Sequence, residues 1–387
     1  MFCYIHIPFC QSRCKYCRFS TFAWKPDLDK EIYVDYLVKN IENGVLHTPC
    51  TLAISQWQNS ESQKTLNSIY FWWWTPTSLS NSQLEKIIIA LKNKFSFGKD
   101  IEITLETTIN NITEENLIIW KKIWINRLSI WIQTLNNQSL KEIWRSSKEE
   151  IIEKLDIIEN LFKKNCHSLE EGNLPCICFN WLSISLDFII WLPYVKKWEL
   201  LQDLKFIIEK YDFINHISLY MLEEYYDYPE KWQDLSISEE DFLEEYLLCK
   251  NYLEEKWFKR YELSNFAKKW YECKHNKAYW NHKNMLAFWL WAHWFLDWVR
   301  YAYPNNFTDY YSWKLDYVEE LSNKDLFLEK IMFGLRTIWL EQEIYKKLNQ
   351  EKTKYFIEQK LLDFKQDKLV LLDNWVVLID YIIKEIV

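Results

Sequence analysis

Short β-prone runs alternate with amphipathic stretches along the first two thirds of the chain, and few folds accommodate that rhythm. The runs read FCYIHI (2–7), SIYF (68–71), DIEITLE (100–106), RLSIWIQ (127–133), LSISLDFII (182–190) and HISLYML (216–222). Amphipathic stretches lie between them at about 31–43, 81–94, 113–123, 148–164 and 197–210, and another at 239–256 follows the last run. Connections of that length do not make hairpins, so successive strands pair in parallel, as in an α/β barrel or a doubly wound sheet. The strands are apolar nearly throughout, as expected when helices cover them.

Past residue 260 the rhythm changes. A polar and aromatic segment, YELSNFAKKWYECKHNKAYWNHK, leads into 286–313, which reads as loop. Residues 323–387 read as helices, a β-hairpin (KLVLLDNWVVLID) and a last helix, a small domain of winged-helix flavour. The expected division is a core barrel over 1–230, a connecting region over 231–310 and a C-terminal domain over 311–387. With 49% hydrophobic residues in 387, the chain can bury cores of that size.

Net charge is −8, and lysines and arginines are interleaved with acids rather than gathered on one face. That pattern argues against a nucleic-acid partner. The N-terminal MFCYIHIPFCQSRCK has no basic region followed by a long apolar one, so the expectation is a cytoplasmic protein without a leader. Residues 284–303 approach the length of a membrane span, but His293, Asp297 and Arg300 would be costly at a bilayer centre.

Ten cysteines in a reducing compartment read as metal ligands or buried thiols rather than disulfides. Cys10, Cys14 and Cys17 form C-x3-C-x2-C in the loop after the first strand. Three thiolates on one tight loop can hold three irons of a 4Fe-4S cluster and leave the fourth open to an outside ligand. Zinc is the competing reading; it normally takes a fourth Cys or His at short spacing, and none follows Cys17. Cys166, Cys176 and Cys178 form a looser group that reads as ordinary thiols.

Glycine and tryptophan are out of proportion. An average usage of about 7% would give roughly 27 glycines; the chain has 4, beside 23 tryptophans. Position agrees with number. Asn374-Trp375 sits where a hairpin wants Asn-Gly, and Trp124 and Trp257 sit between a helical stretch and a strand, where glycine caps helices in the left-handed region.

The stretch YIHIPFCQSRCKYCRF (4–19) resembles the signature of radical S-adenosylmethionine (SAM) proteins of the oxygen-independent coproporphyrinogen III oxidase group. FWWWTPTSL is similar to that group's GGGTPT loop, RLSIWIQTLN to RLSIGVQS, EIWR to an LGR element and LDFIIWLP to DLIYGLP. YELSNFA is similar to YEISNFA, and an HNxxYW element follows at His275, Asn276, Tyr279 and Trp280. Within the group, the oxidase branch has a segment before the cluster motif and a fourth cysteine where Phe19 stands. The HNxxYW element resembles that of the HemW-type heme chaperones.

The resemblance implies an α/β fold: a radical SAM partial (β/α)6, TIM-like barrel with a small C-terminal helical, winged-helix-like domain. It implies a protein that binds heme and passes it to acceptor proteins. The alternatives are oxidative decarboxylation of coproporphyrinogen III and a relative that keeps the barrel without its cofactors. It implies a 4Fe-4S cluster on Cys10, Cys14 and Cys17, with SAM on the open iron. SAM would be held by Tyr4, the loop residues Trp72, Trp73 and Thr75, and by Glu106, Gln133, Arg145 and Asp187; His6 belongs to the strand signature. His275 is the candidate heme-associated residue, because neutral imidazole can ligate iron. A homodimer is a further expectation.

The family has glycine where this chain has Trp72, Trp73, Trp74, Trp124, Trp131, Trp144, Trp191, Trp257, Trp270, Trp289, Trp291, Trp339 and Trp375. Indoles in the SAM loop would fill the space that the ligand needs. Overpacking costs about 1–3 kcal/mol per site and left-handed geometry roughly 1–2 more. Over a dozen sites that exceeds the about 5–15 kcal/mol of a typical fold. The reconciling expectation is that UGA encodes glycine in the source lineage and was rendered as tryptophan, with Trp280 a true tryptophan and Trp24, Trp57, Trp120, Trp198, Trp232 and Trp313 undecided.

Overall fold

A computed structural model describes residues 1–10, 13–17, 22–23, 27–43, 64–73, 75–164, 182–222, 232, 238–312, 314–337, 339–373 and 378–387. Trp24, Trp57, Trp74, Trp313, Trp375, Cys50, Cys166, Cys176 and Cys178 lie outside the described residues. The chain divides into two compact units. One comprises Met1–Ile132, Ile143–Ser185 and Cys273–Glu320; the other comprises Gln133–Glu142, Leu186–Glu272 and Leu321–Val387.

In the first unit, β1 (Phe2–Ile7), β2 (Thr65–Trp73), β3 (Ser96–Thr108) and β4 (Arg127–Gln133) pair in parallel in that order. Helices α1 (Asp27–Asn43), α2 (Asn81–Lys94) and α3 (Glu114–Lys122) make the crossovers, and α4 (Lys148–Lys164) follows β4. Helix starts obey local chemistry: Ser80 and Gln83 close a capping box on α2, and the Thr113 hydroxyl accepts from the Asn116 amide on α3.

Register and pleat give the strands two unlike faces. Cys3, Ile5, Ile69, Phe71, Ile103, Leu105, Leu128 and Ile130 make one face, all of it buried. Tyr4, His6, Tyr70, Trp72, Thr104, Glu106, Ser129 and Trp131 make the other, because side chains two residues apart share a side. The strands are therefore not uniformly apolar. The period-two signal was present in the sequence, masked because tyrosine and tryptophan count as hydrophobic.

Residues 286–313 correct the loop expectation. Met285–Phe288 pairs in parallel with β1, then His293–Leu296, Val299–Ala302 and Tyr317–Glu320 extend the sheet antiparallel. Asp297 and Trp298 turn the hairpin with φ of 45° and 71°. A two-residue turn with both φ positive is an Asp-Gly signal, which Asp-Trp conceals.

In the second unit, β5 (Ser183–Ile190), which begins in the first unit, lies beside β6 (His216–Met221), and β6 pairs antiparallel with Asn265–Ala267. The C-terminal hairpin also differs from expectation: among the described residues, Lys368–Leu371 pairs with the preceding Leu362–Lys365, and residues 374–377 of the expected hairpin lie outside the description. Gln366 and Asp367 make the turn at φ 51° and 62°, while Ile379–Ile386 is a helix. Among the described residues, no helix is long and apolar enough to cross a membrane.

Glu262, 3% exposed, has its carboxyl pushed up to about 7 by burial, against bonds from Asn265 and the Ser264 amide and the nearby Arg260 charge. A raised carboxyl stabilises the fold fully below its unfolded value, and that contribution is lost as pH rises through about 7. Glu262→Gln is expected to gain roughly 3 kcal/mol over the parent at pH 8 and nothing at pH 4 in urea unfolding. An equal effect at both pH values would contradict the burial argument.

The tryptophan anomaly has a conformational counterpart. Of sixteen described non-glycine residues with positive φ, nine are tryptophan: Trp124, Trp144, Trp191, Trp198, Trp257, Trp270, Trp289, Trp291 and Trp298. Trp124 and Trp257 hold the expected left-handed caps. Around Trp257, its amide donates to Glu254 O and that of Phe258 to Leu253 O; around Trp124, its amide donates to Lys121 O and that of Ile125 to Trp120 O. Both pairs are the Schellman pattern. Trp289, at φ 104°, is fully buried among Tyr33, Tyr310 and Phe307, with its indole N–H lacking an acceptor. Trp120 differs: it lies inside α3, is 2% exposed, and donates from Nε1 to Asn81.

Candidate functional site

The cysteine loop leaves the C-terminal end of β1, where the parallel strands deliver their polar face. Cys10 and Cys14 line an open cleft of about 540 Å³, including the solvent at its mouth, together with Thr75, Asn110, Trp131 and Arg145. The loop is held locally: the Cys17 amide donates to Cys14 O at 3.0 Å, and Arg13 Nε donates to Cys17 O at 3.1 Å. Cys10 Sγ lies 3.5 Å from Thr75 Oγ1, which ties the loop to the turn after β2. Among the described residues, no three Cys, His, Asp or Glu side chains converge as a metal-holding group.

Arg145 crosses the cleft to the loop, where its Nη2 donates to the Tyr16 hydroxyl at 3.1 Å. Burial works against the guanidinium charge, but the Tyr16 hydroxyl and the Cys14 and Cys10 thiols outweigh it and hold the group protonated. Its Nε is buried without an acceptor. A buried donor without a partner is costly, so the cleft wants a polar or anionic group there. Three thiols on one loop are a soft donor set suited to iron, and a forked cation faces them. The residues present therefore fit both a cluster and a ligand carrying a carboxylate.

Deeper on the same face, the Tyr70 hydroxyl donates to Glu106 Oε1 at 3.0 Å, and the Tyr4 hydroxyl pairs with His6 Nδ1 at 2.8 Å. Burial, helped by the Glu106 charge, raises the Tyr4 phenol well above its ordinary value. Burial, helped by His293, lowers His6 to about 3, so its imidazole is neutral. The Trp72 ring stands edge-on to Tyr4 and Tyr70 at 5.8 and 5.9 Å. An indole therefore covers the row that holds Glu106.

The remaining expected residues are placed as follows. Gln133 ends β4 at φ 71° and is 4% exposed; Asp187, on β5, is 3% exposed; both belong to the second unit. His275 opens the helix Lys274–Trp280, and the Glu102 carboxylate accepts from the Lys274 and His275 amides at its start. The imidazole is buried, with Nδ1 2.9 Å from Ser68 Oγ and its ring against Tyr70 at 5.1 Å. Burial lowers it to about 3. Tyr16, Tyr70 and Asn110 were not foreseen; only the alternation along β2 pointed to Tyr70.

Residues 4–169 match the family described as the radical SAM superfamily. Over 373 residues the chain is 27% identical to the heme chaperone HemW of Buchnera aphidicola subsp. Acyrthosiphon pisum, covering 92% of this chain and 88% of that one. It is 29% identical over 280 residues to the heme chaperone HemW of Buchnera aphidicola subsp. Schizaphis graminum, covering 72% of this chain and 65% of that one. The match thus spans just under two thirds of the latter's length. In three dimensions the chain superposes on the coproporphyrinogen III oxidase HemN of Escherichia coli with a TM-score of 0.74, at 17% identity, over 99% of this chain and 89% of that one. With a three-cysteine loop leaving the first strand of a parallel sheet, and that match beginning at Tyr4, residues 4–169 carry a radical SAM domain.

Proposed function

We propose that this protein is a heme chaperone of the HemW type, which binds heme and passes it to acceptor proteins. The observation that supports it is the length of the likeness: the HemW relative from the Acyrthosiphon pisum subspecies aligns with 92% of the chain, beyond the superfamily match. Cys10, Cys14 and Cys17 would hold the cluster. Arg145 and Glu106 would orient SAM through its polar groups, with Tyr4, Thr75 and the backbone at residues 72 and 73 in the same unit, and the family resemblance adds Gln133 and Asp187 to the SAM set. A 4Fe-4S cluster with SAM supplies reductive cleavage of a carbon–sulfur bond. Heme would associate with the helix that carries His275, whose neutral imidazole is a competent ligand. The protein would act in the cytoplasm, with a homodimer as a possible assembly.

The test is anaerobic reconstitution of the full chain made with glycine at the disputed tryptophans. Heme is expected to bind stoichiometrically, with a Soret band that His275→Ala weakens, and coproporphyrinogen III is expected to persist unconsumed. Turnover of coproporphyrinogen III would replace the chaperone by the oxidase.

A further inference from the structure

We infer that Tyr70 is a positioning residue that aims the Glu106 carboxylate at the ligand of the cleft, through a hydrogen bond between neighbouring strands. The inference rests on the proposal above that Glu106 orients SAM.

Tyr70 lies on β2 and Glu106 on β3. Register pairs Tyr70 with Thr104, so Glu106 stands one pleat further along the same face. The phenol then reaches forward to Oε1 at 3.0 Å, and both residues are buried, at 7% and 4% exposure. Tyr70 is held in turn: the His275 ring packs against it at 5.1 Å, and His275 is fixed by Ser68 and by the Glu102 carboxylate at the start of its helix. Tyr4, on the same row, pairs with His6.

A glutamate has three rotatable bonds before its carboxylate oxygens, and a donor in a fixed place selects one orientation at low entropic cost. Hydrogen bonds to charged groups are the strong ones, and in a buried site they also hold the group ionised. Tyr70 therefore acts without touching SAM: it points Glu106 and donates to its carboxylate.

The experiment measures SAM affinity by anaerobic equilibrium dialysis from pH 5.5 to 8.5. The protein is the full chain with its cluster reconstituted and glycine at positions 72–74. Tyr70→Phe keeps the ring and removes the donor. It is expected to weaken SAM binding about tenfold and to move the acid limb of the binding profile upward by about one pH unit. Cluster content should stay unchanged. Glu106→Gln is the companion variant. If it leaves SAM affinity intact, the reading of Glu106 as a SAM residue is what fails. If it loses SAM while Tyr70→Phe binds with the parent's affinity and pH profile, the positioning role alone is overturned. Lost iron in Tyr70→Phe would overturn it as well, since the phenol would then be holding the cysteine loop rather than aiming Glu106.

Discussion

Replacing Trp124, Trp144, Trp257 and Trp270 together by glycine is expected to stabilise the fold, by roughly 0.5 kcal/mol per site. All four have φ between 61° and 78° and are 44–81% exposed. An L-residue in the left-handed region pays roughly 1–2 kcal/mol that glycine does not. Glycine returns about 0.5–1 kcal/mol of that as backbone entropy. Lysines over three of the rings, Lys92, Lys15 and Lys269, offset part of the gain. The sites are separate on the surface, so their effects should nearly add. Trp120→Gly should go the other way, by about 4 kcal/mol or more, because it empties a buried, hydrogen-bonded site inside a helix. Denaturant unfolding of the quadruple and single variants checks both signs. Loss of stability in the quadruple variant would mean that the indoles belong where they stand. UGG codons at 72–74, 124 and 257 would refute the recoding of UGA independently.

Cys14→Ser is expected to abolish the cluster. Anaerobically reconstituted parent protein should carry about four irons per chain, and the variant less than about one, with SAM binding reduced to background. Serine oxygen is a harder and far less acidic ligand than a thiolate, so it does not replace Cys14 on iron. Cys249→Ser is the control: that thiol belongs to the second unit and is fully buried in the helix Glu239–Glu255, with its ionisation suppressed chiefly by burial. It should keep its iron. Equal iron in both variants would remove Cys14 from the proposed ligand set.

Much of the parallel-sheet half was legible because its signals are local. Runs such as RLSIWIQ and FCYIHI correspond to strands residue for residue, since β-branched and aromatic clustering between polar turns is a short-range property. The strands after Met285 were not legible. Their turns depend on positive φ at Trp291, Asp297 and Trp298, and the residue type that announces such turns is missing from the printed letters. The hairpin at Gln366-Asp367 failed for the same reason, as neither residue signals a left-handed pair strongly.

The sequence by itself determined the three-cysteine loop, the radical SAM domain and the order of elements, because three cysteines at fixed spacing and a parallel alternation are written in neighbouring positions. It also determined that something other than tryptophan suits the turns, since composition and turn chemistry agreed before any dihedral was known. Only the tertiary structure decided which side chains meet. Tyr70 and Glu106 are 36 positions apart, Arg145 and Tyr16 are 129 apart, and Ser68 and His275 are 207 apart. Parallel register and helix docking set those distances, and they depend on how whole strands align rather than on any residue's own preference.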